Sequence, residues 1–142
     1  EKACLALKYC GHIYKNSPLE PHGPRDAHKR IFDYDDNLVF YLLGESDHSQ
    51  AIWRDSVYAQ ALHTLWEYDN QHNTEDLYLL YIYLRCERKA TDASQLLHMH
   101  RNNIVYHVGR IEEILGLDLN DADVRMGLNL SYMMLRLYGF EA

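Results

Sequence analysis

The stretch ASQLLHMHRNNIVYHVGRI, residues 93–111, decides how this chain folds and what it can bind. It holds no Asp or Glu, although 21 acidic residues are spread over the 142 of the chain. It holds instead His98, His100, Arg101, His107 and Arg110. Its apolar spacing predicts a short helix carrying Ala93, Leu96 and Leu97, a tight connection at His98-Met99-His100, and a longer helix from Arg101 to just before Gly116. Two helices joined by a turn of three or four residues form a helix-turn-helix, whose second helix lies in the major groove of DNA. The turn lacks the glycine often found there. His is among the non-glycine residues enriched at positive φ, so His98 can take that place.

At about 100° per residue, Ile104, Val108, Ile111 and Leu115 of the second helix form one narrow stripe that should face the core. Together with Leu96 and Leu97 they should hold the two helices in fixed relation. Asn102, Tyr106, Gly109 and Glu113 lie opposite, with Asn103 and Arg110 on one flank. These side chains suit a duplex: Asn bonds the N6/N7 edge of adenine, Arg bonds guanine or phosphate, and Tyr bonds phosphate. The same pattern also fits a plainly solvated amphipathic helix.

Around this segment the chain reads as helical from residue 51 onward. Residues 51–68, with Ile52, Trp53, Val57, Ala61, Leu62, Leu65 and Trp66, predict one helix, closed by a polar break over residues 70–73. Asn73 or Thr74 is placed to cap the next helix, Thr91 the short helix of the motif, and Asp121 a last helix through Leu137. Toward the start, residues 1–15 predict a short helix, and Pro18, Pro21 and Pro24 a loop. Ile31 and Phe32 are placed for a short strand, and Leu38 to Leu43 for a helix ended by Gly44. The expected architecture is a mainly α bundle: residues 1–45 as an N-terminal extension and 46–142 as the helix-turn-helix domain, with its motif over about residues 91–115.

The balance of 14 Lys plus Arg against 21 Asp plus Glu gives a net charge of −7. That argues against a protein that coats nucleic acid non-specifically, while leaving room for a local DNA-reading face. The apolar runs fall far short of the roughly 20 residues that cross a bilayer. Cys4, Cys10 and Cys86 include no C-x-x-C pair and read as free thiols of the cytoplasm. The chain begins at Glu1 rather than Met, as expected of a fragment of a longer protein. His98, His100 and His107 lack neighbouring Cys or carboxylate ligands at metal spacing, so capping and packing are their expected jobs. Asp33, Asp35 and Asp36 read as a solvated turn. No serine has a nucleophile-elbow context, so no enzyme and no cofactor are expected.

The string Leu97 to Tyr106, followed by Arg110-Ile111-Glu112-Glu113-Ile114-Leu115-Gly116-Leu117-Asp118-Leu119, resembles the C-terminal helix-turn-helix domain of the PucR/CdaR-like bacterial regulators of purine catabolism and sugar-diacid use. The likeness covers roughly residues 65–137, while residues 1–45 resemble more faintly the end of the preceding sensory domain. Ser94 stands where that family usually has Ala, Asn103 where it has Thr, His107 where it has Arg, and Gly109 where it commonly has a charged residue. Loss of a fixed cation at 107 implies weaker or more pH-sensitive DNA binding. The resemblance implies a sequence-specific transcription regulator with Arg101, Asn102, Asn103, Tyr106, His107 and Arg110 at the DNA. Asn102 and Asn103 would read bases, and Arg101, Tyr106 and Arg110 would anchor phosphates. A homodimer on operator DNA is expected, with a small-molecule effector bound outside this fragment and no membrane partner. The alternative is a helical dimerisation or protein-interaction module with weak or lost DNA binding.

Overall fold

The apolar pattern over residues 51–68 predicts one helix; the computed structural model, which describes Leu43 and residues 48–140, contains two. α1 (Ser49–Arg54) ends at Asp55, and α2 (Val57–His72) starts afresh behind Ser56. The Ser56 side chain accepts the Ala59 N–H at 3.1 Å, so a capping residue inside an apolar run outweighs the run itself. α2 also passes through the expected polar break and stops at Asn73, which is left-handed at φ 52°. α3 (Asp76–Arg85), α4 (Ala90–Leu97), α5 (Arg101–Leu115) and α6 (Ala122–Tyr138) follow, and no strand occurs among the described residues. The segments expected over residues 1–42, and the Gly44 stop, lie outside the described residues.

Ser56–Ser131 form one compact unit. Its centre is made by Leu62 and Leu65 of α2, Leu77, Leu79, Leu80 and Leu84 of α3, Ala93 of α4, and Ile104, Val108 and Ile111 of α5, all buried. α5 packs against α2, α3 and α4. Gly127 on α6 lies under the Tyr58 ring, and a Cβ there would come within 2.3 Å of it. Residues 48–55 and 132–140 belong to a second unit, where Trp53, Tyr132, Leu135 and Leu137 are buried and Arg54 Nη1 donates to the Phe140 carbonyl at 3.2 Å.

The expectation for Leu96 fails: it is 44% exposed. The buried contact of α4 is made by Ala93, whose small side chain allows close approach, while Leu97 and Leu115 are half-buried. α4 begins at Ala90 behind Lys89 with no side-chain cap, so Thr91 sits within the helix rather than ahead of it. The turn after α4 forms as the sequence predicts. His98 is left-handed at φ 53°, and the Met99 N–H closes on the Ser94 carbonyl at 3.1 Å. His100 then caps α5, its Nδ1 accepting the Asn102 N–H at 3.1 Å.

A β-carbon in the left-handed region costs about 1–2 kcal/mol, and His98 is exposed with no compensating side-chain hydrogen bond among the described residues. The His98→Gly substitution is therefore expected to raise stability by about 0.5–1 kcal/mol, read as an upward shift of the thermal midpoint. A lower midpoint would mean that the imidazole supports the turn.

Candidate nucleic-acid interface

Two buried carboxylates build the floor of this region. Asp69, near the end of α2, does what Asn73 or Thr74 is expected to do from sequence: it caps α3. Its Oδ1 accepts the Asp76 N–H at 2.9 Å and the Thr74 hydroxyl at 2.6 Å, and its Oδ2 accepts the Leu77 N–H at 2.8 Å. Glu75, the residue ahead of α3, makes no side-chain cap. The second carboxylate, Asp76, is 1% exposed and points from the first turn of α3 to the middle of α5. Arg110 Nε and Nη2 donate to its Oδ2 at 3.2 and 2.5 Å, and His107 Nδ1 lies 2.8 Å from its Oδ1.

The same His107 Nδ1 lies 2.8 Å from Arg110 Nη2. One ring nitrogen serves only one of these neighbours at a time. Carrying a proton it donates to Asp76; bare, it accepts from Arg110. Burial alone would lower the Arg110 pKa, but the Asp76 hydrogen bond and charge outweigh it and hold the guanidinium above its ordinary range. Its carbon sits 5.6 Å from the Tyr68 ring centroid and 5.8 Å from that of Tyr106, so the cation lies near two aromatic rings.

Above this floor α5 turns a continuous face outward. Arg101, Asn102, Asn103, Val105, Tyr106 and Gly109 are all exposed, Tyr106 at 68%. A Cβ on Gly109 would meet nothing within 4 Å, so no packing within the described structure requires that glycine. Of the six residues singled out in the sequence, the structure thus brings Arg101, Asn102, Asn103 and Tyr106 to the surface. It places His107 and Arg110, each about a quarter exposed, on the inner flank against Asp76. The reason is the buried acid 31 and 34 residues earlier, which draws both side chains inward. The roles of Asp69 as a cap, of Asp76 as partner of the basic pair, of Tyr68 beside Arg110 and of Val105 on the outward face are not read from the sequence. The available signal was one acid opening the otherwise apolar run LYLLYIYL, residues 77–84, opposite a basic pair spaced i, i+3.

The other histidines have separate tasks, His98 in the turn and His100 as the cap. Burial, then the charge of Asp92, pushes the Cys86 thiol up, which keeps it protonated and a poor nucleophile at neutral pH. Downstream, Glu112 Oε1 accepts the Leu119 N–H at 3.0 Å, and Gly116 closes α5 in the left-handed region. Asp121 Oδ1 caps α6 by accepting the Asp123 N–H at 2.8 Å, as the sequence predicts. No described helix is long and apolar enough to cross a membrane.

A short helix, a left-handed turn and a capped second helix packed on a third define a helix-turn-helix domain. Residues 77–134 match the PucR C-terminal helix-turn-helix domain, the family that the motif residues resemble. Over 80 residues the chain is 32% identical to the purine catabolism regulatory protein of Bacillus subtilis (strain 168), covering 56% of this chain and 15% of that protein. Over 68 residues it is 34% identical to the proline-responsive transcriptional activator PutR of the same strain, covering 48% of this chain and 16% of that protein. The chain therefore spans about a sixth of these relatives. No solved structure matches it.

Asp69→Ala leaves two buried N–H groups without their acceptor and is expected to destabilise the domain by about 2–3 kcal/mol, or roughly 10–20 °C in thermal midpoint. An unchanged midpoint would contradict the capping role. Gly109→Ala, with open space around its Cβ, is expected to stabilise the domain by about 1 kcal/mol by the same measurement.

Proposed function

We propose that this chain is the DNA-binding part of a bacterial transcription regulator, with α5 seated in the major groove. The observation that carries this reading is the outward face of α5: Arg101, Asn102, Asn103 and Tyr106 exposed together on a helix whose opposite stripe is buried. The two relatives, one named for purine catabolism regulation and the other a proline-responsive activator, support it. Asn102 and Asn103 read base edges, where bidentate amide contacts select adenine, and Val105 is placed to touch a thymine methyl. Arg101 and Tyr106 contact phosphates and fix the register. His107 and Arg110 belong to the interface from its inner flank.

One domain of this size makes few contacts, so specific binding uses two copies on half-sites about 34 Å apart. Met126 at 63% and Leu130 at 41% exposure, one turn apart on α6, favour a helix–helix contact between copies. The same ridge is what the second reading, a dimerisation module without DNA binding, would use. A small-molecule effector is bound elsewhere in the full-length regulator, in the cytoplasm.

The test is salt-dependent binding of the full chain to duplexes selected from random DNA. Binding that is strong and steep in salt supports the regulator reading; a dimer with no affinity for DNA supports the second. Asn102→Ala is expected to erase about 1–3 kcal/mol of discrimination at one base pair. Arg101→Ala is expected to weaken all duplexes alike and flatten the slope of log K against log salt by about one. Equal loss on every sequence from Asn102→Ala would move that residue from base to backbone.

A further inference from the structure

We propose that Arg110 is a positioning residue rather than a phosphate ligand: fixed to the buried Asp76 carboxylate and standing beside the Tyr68 and Tyr106 rings, it aims the Tyr106 side chain at the duplex. This deepens the DNA-binding reading and rests on it. Two of the three guanidinium nitrogens are committed inward, Nε and Nη2 to Asp76 Oδ2, with Nη2 also against His107. For Arg110 to reach a phosphate it would have to abandon a carboxylate that is 1% exposed, leaving that buried charge with His107 as its remaining side-chain contact. The charge it carries is matched by that carboxylate, so it adds little to the field felt by DNA.

Tyr106, by contrast, is free to reach outward, yet its ring is held on the inner side by two neighbours. Arg110 lies 5.8 Å from its centroid, one helical turn on, and the His107 ring meets it nearly edge-on at 5.9 Å and 85°. A phenol that enters the complex already oriented loses little side-chain freedom on binding, which raises the affinity its hydroxyl delivers. Asp76 thus acts on DNA through Arg110, and Arg110 through Tyr106.

The full chain is titrated with a duplex selected from random DNA, across a salt series. Arg110→Lys and Arg110→Gln are expected to lose about tenfold in affinity, as Tyr106→Phe does, with the wild-type salt slope retained. The Arg110→Gln/Tyr106→Phe double variant should be no worse than either single one, because both remove the same contact. Retained affinity in Arg110→Lys, or a slope lower by about 0.9 in Arg110→Gln with losses that add to those of Tyr106→Phe, would overturn the proposal. If a single variant melts below the assay temperature, Asp76→Asn/Arg110→Gln, which removes both charges together, replaces it. A wild-type slope there supports positioning, and a slope lower by about one refutes it. Absence of salt-dependent binding by the wild-type chain removes the DNA-binding reading and this one with it; the other refutations leave the DNA-binding reading intact.

Discussion

A carboxylate taken out of water must find a cation or a set of donors, and in this domain three helices meet that demand with one another. Asp69 faces the open N–H groups at the start of α3, where a negative charge is favoured by the helix dipole. Asp76, emerging from that same turn, faces Arg110 and His107 on α5. The end of α2, the start of α3 and the middle of α5 are thereby tied through two side chains. The apolar stripe Ile104, Val108 and Ile111 decides which side of α5 is buried. The ionic contact fixes its roll about its own axis, because His107 and Arg110 lie on one flank, between that stripe and the outward face. The direction in which Asn102, Asn103 and Tyr106 point is a consequence of both.

The helix-turn-helix was legible in the sequence because every device that makes it is local. The apolar period, a His tolerant of positive φ, a His in capping position, Gly116 after the last turn and Asp121 ahead of α6 all act within a few residues of where they stand. The floor was not legible, for the opposite reason. Asp76 and Arg110 are 34 residues apart, and a basic residue on the flank of an amphipathic helix looks the same whether its partner is a phosphate or a buried acid. Leu96 shows the limit of composition in short helices: with eight residues in α4, one small side chain, Ala93, makes the buried contact and the larger apolar neighbour is left in solvent. Ser56 shows that a single cap can divide an apolar run that the period alone would join.

The motif shared with the PucR-type domain separates into two physical roles. Ile111, Glu112, Gly116, Asp118 and Leu119 build the end of α5 and the bend that follows. Ile111 and Leu119 are buried, Glu112 accepts the Leu119 N–H, Gly116 takes the left-handed conformation, and Asp118 Oδ1 accepts the Asn120 N–H at 2.9 Å. Arg101, Asn102 and Tyr106 do none of this and are exposed. Residues that a fold does not need, gathered on one face of a fixed helix, are the part of the motif that packing leaves unexplained, and binding gives them a purpose.

The net charge of −7 bears directly on that purpose. Acids are absent from residues 93–111, so the first three turns of α5 carry no like charge of their own against a phosphate backbone, and Glu113 stands only near the far end of that face. Asp76, buried beneath the helix, is matched by Arg110, which cancels that negative charge but uses up a cation that would otherwise strengthen the surface field. What remains is Arg101 with neutral amide and phenol groups, because His100 already takes the N–H groups of Asn102, Asn103 and Ile104. Each phosphate neutralised adds one salt-dependent step in affinity, and a face with so few cations gains few such steps. On the DNA-binding reading proposed above, discrimination would rest on hydrogen bonds to bases, and a second copy on the same duplex would add affinity through effective concentration.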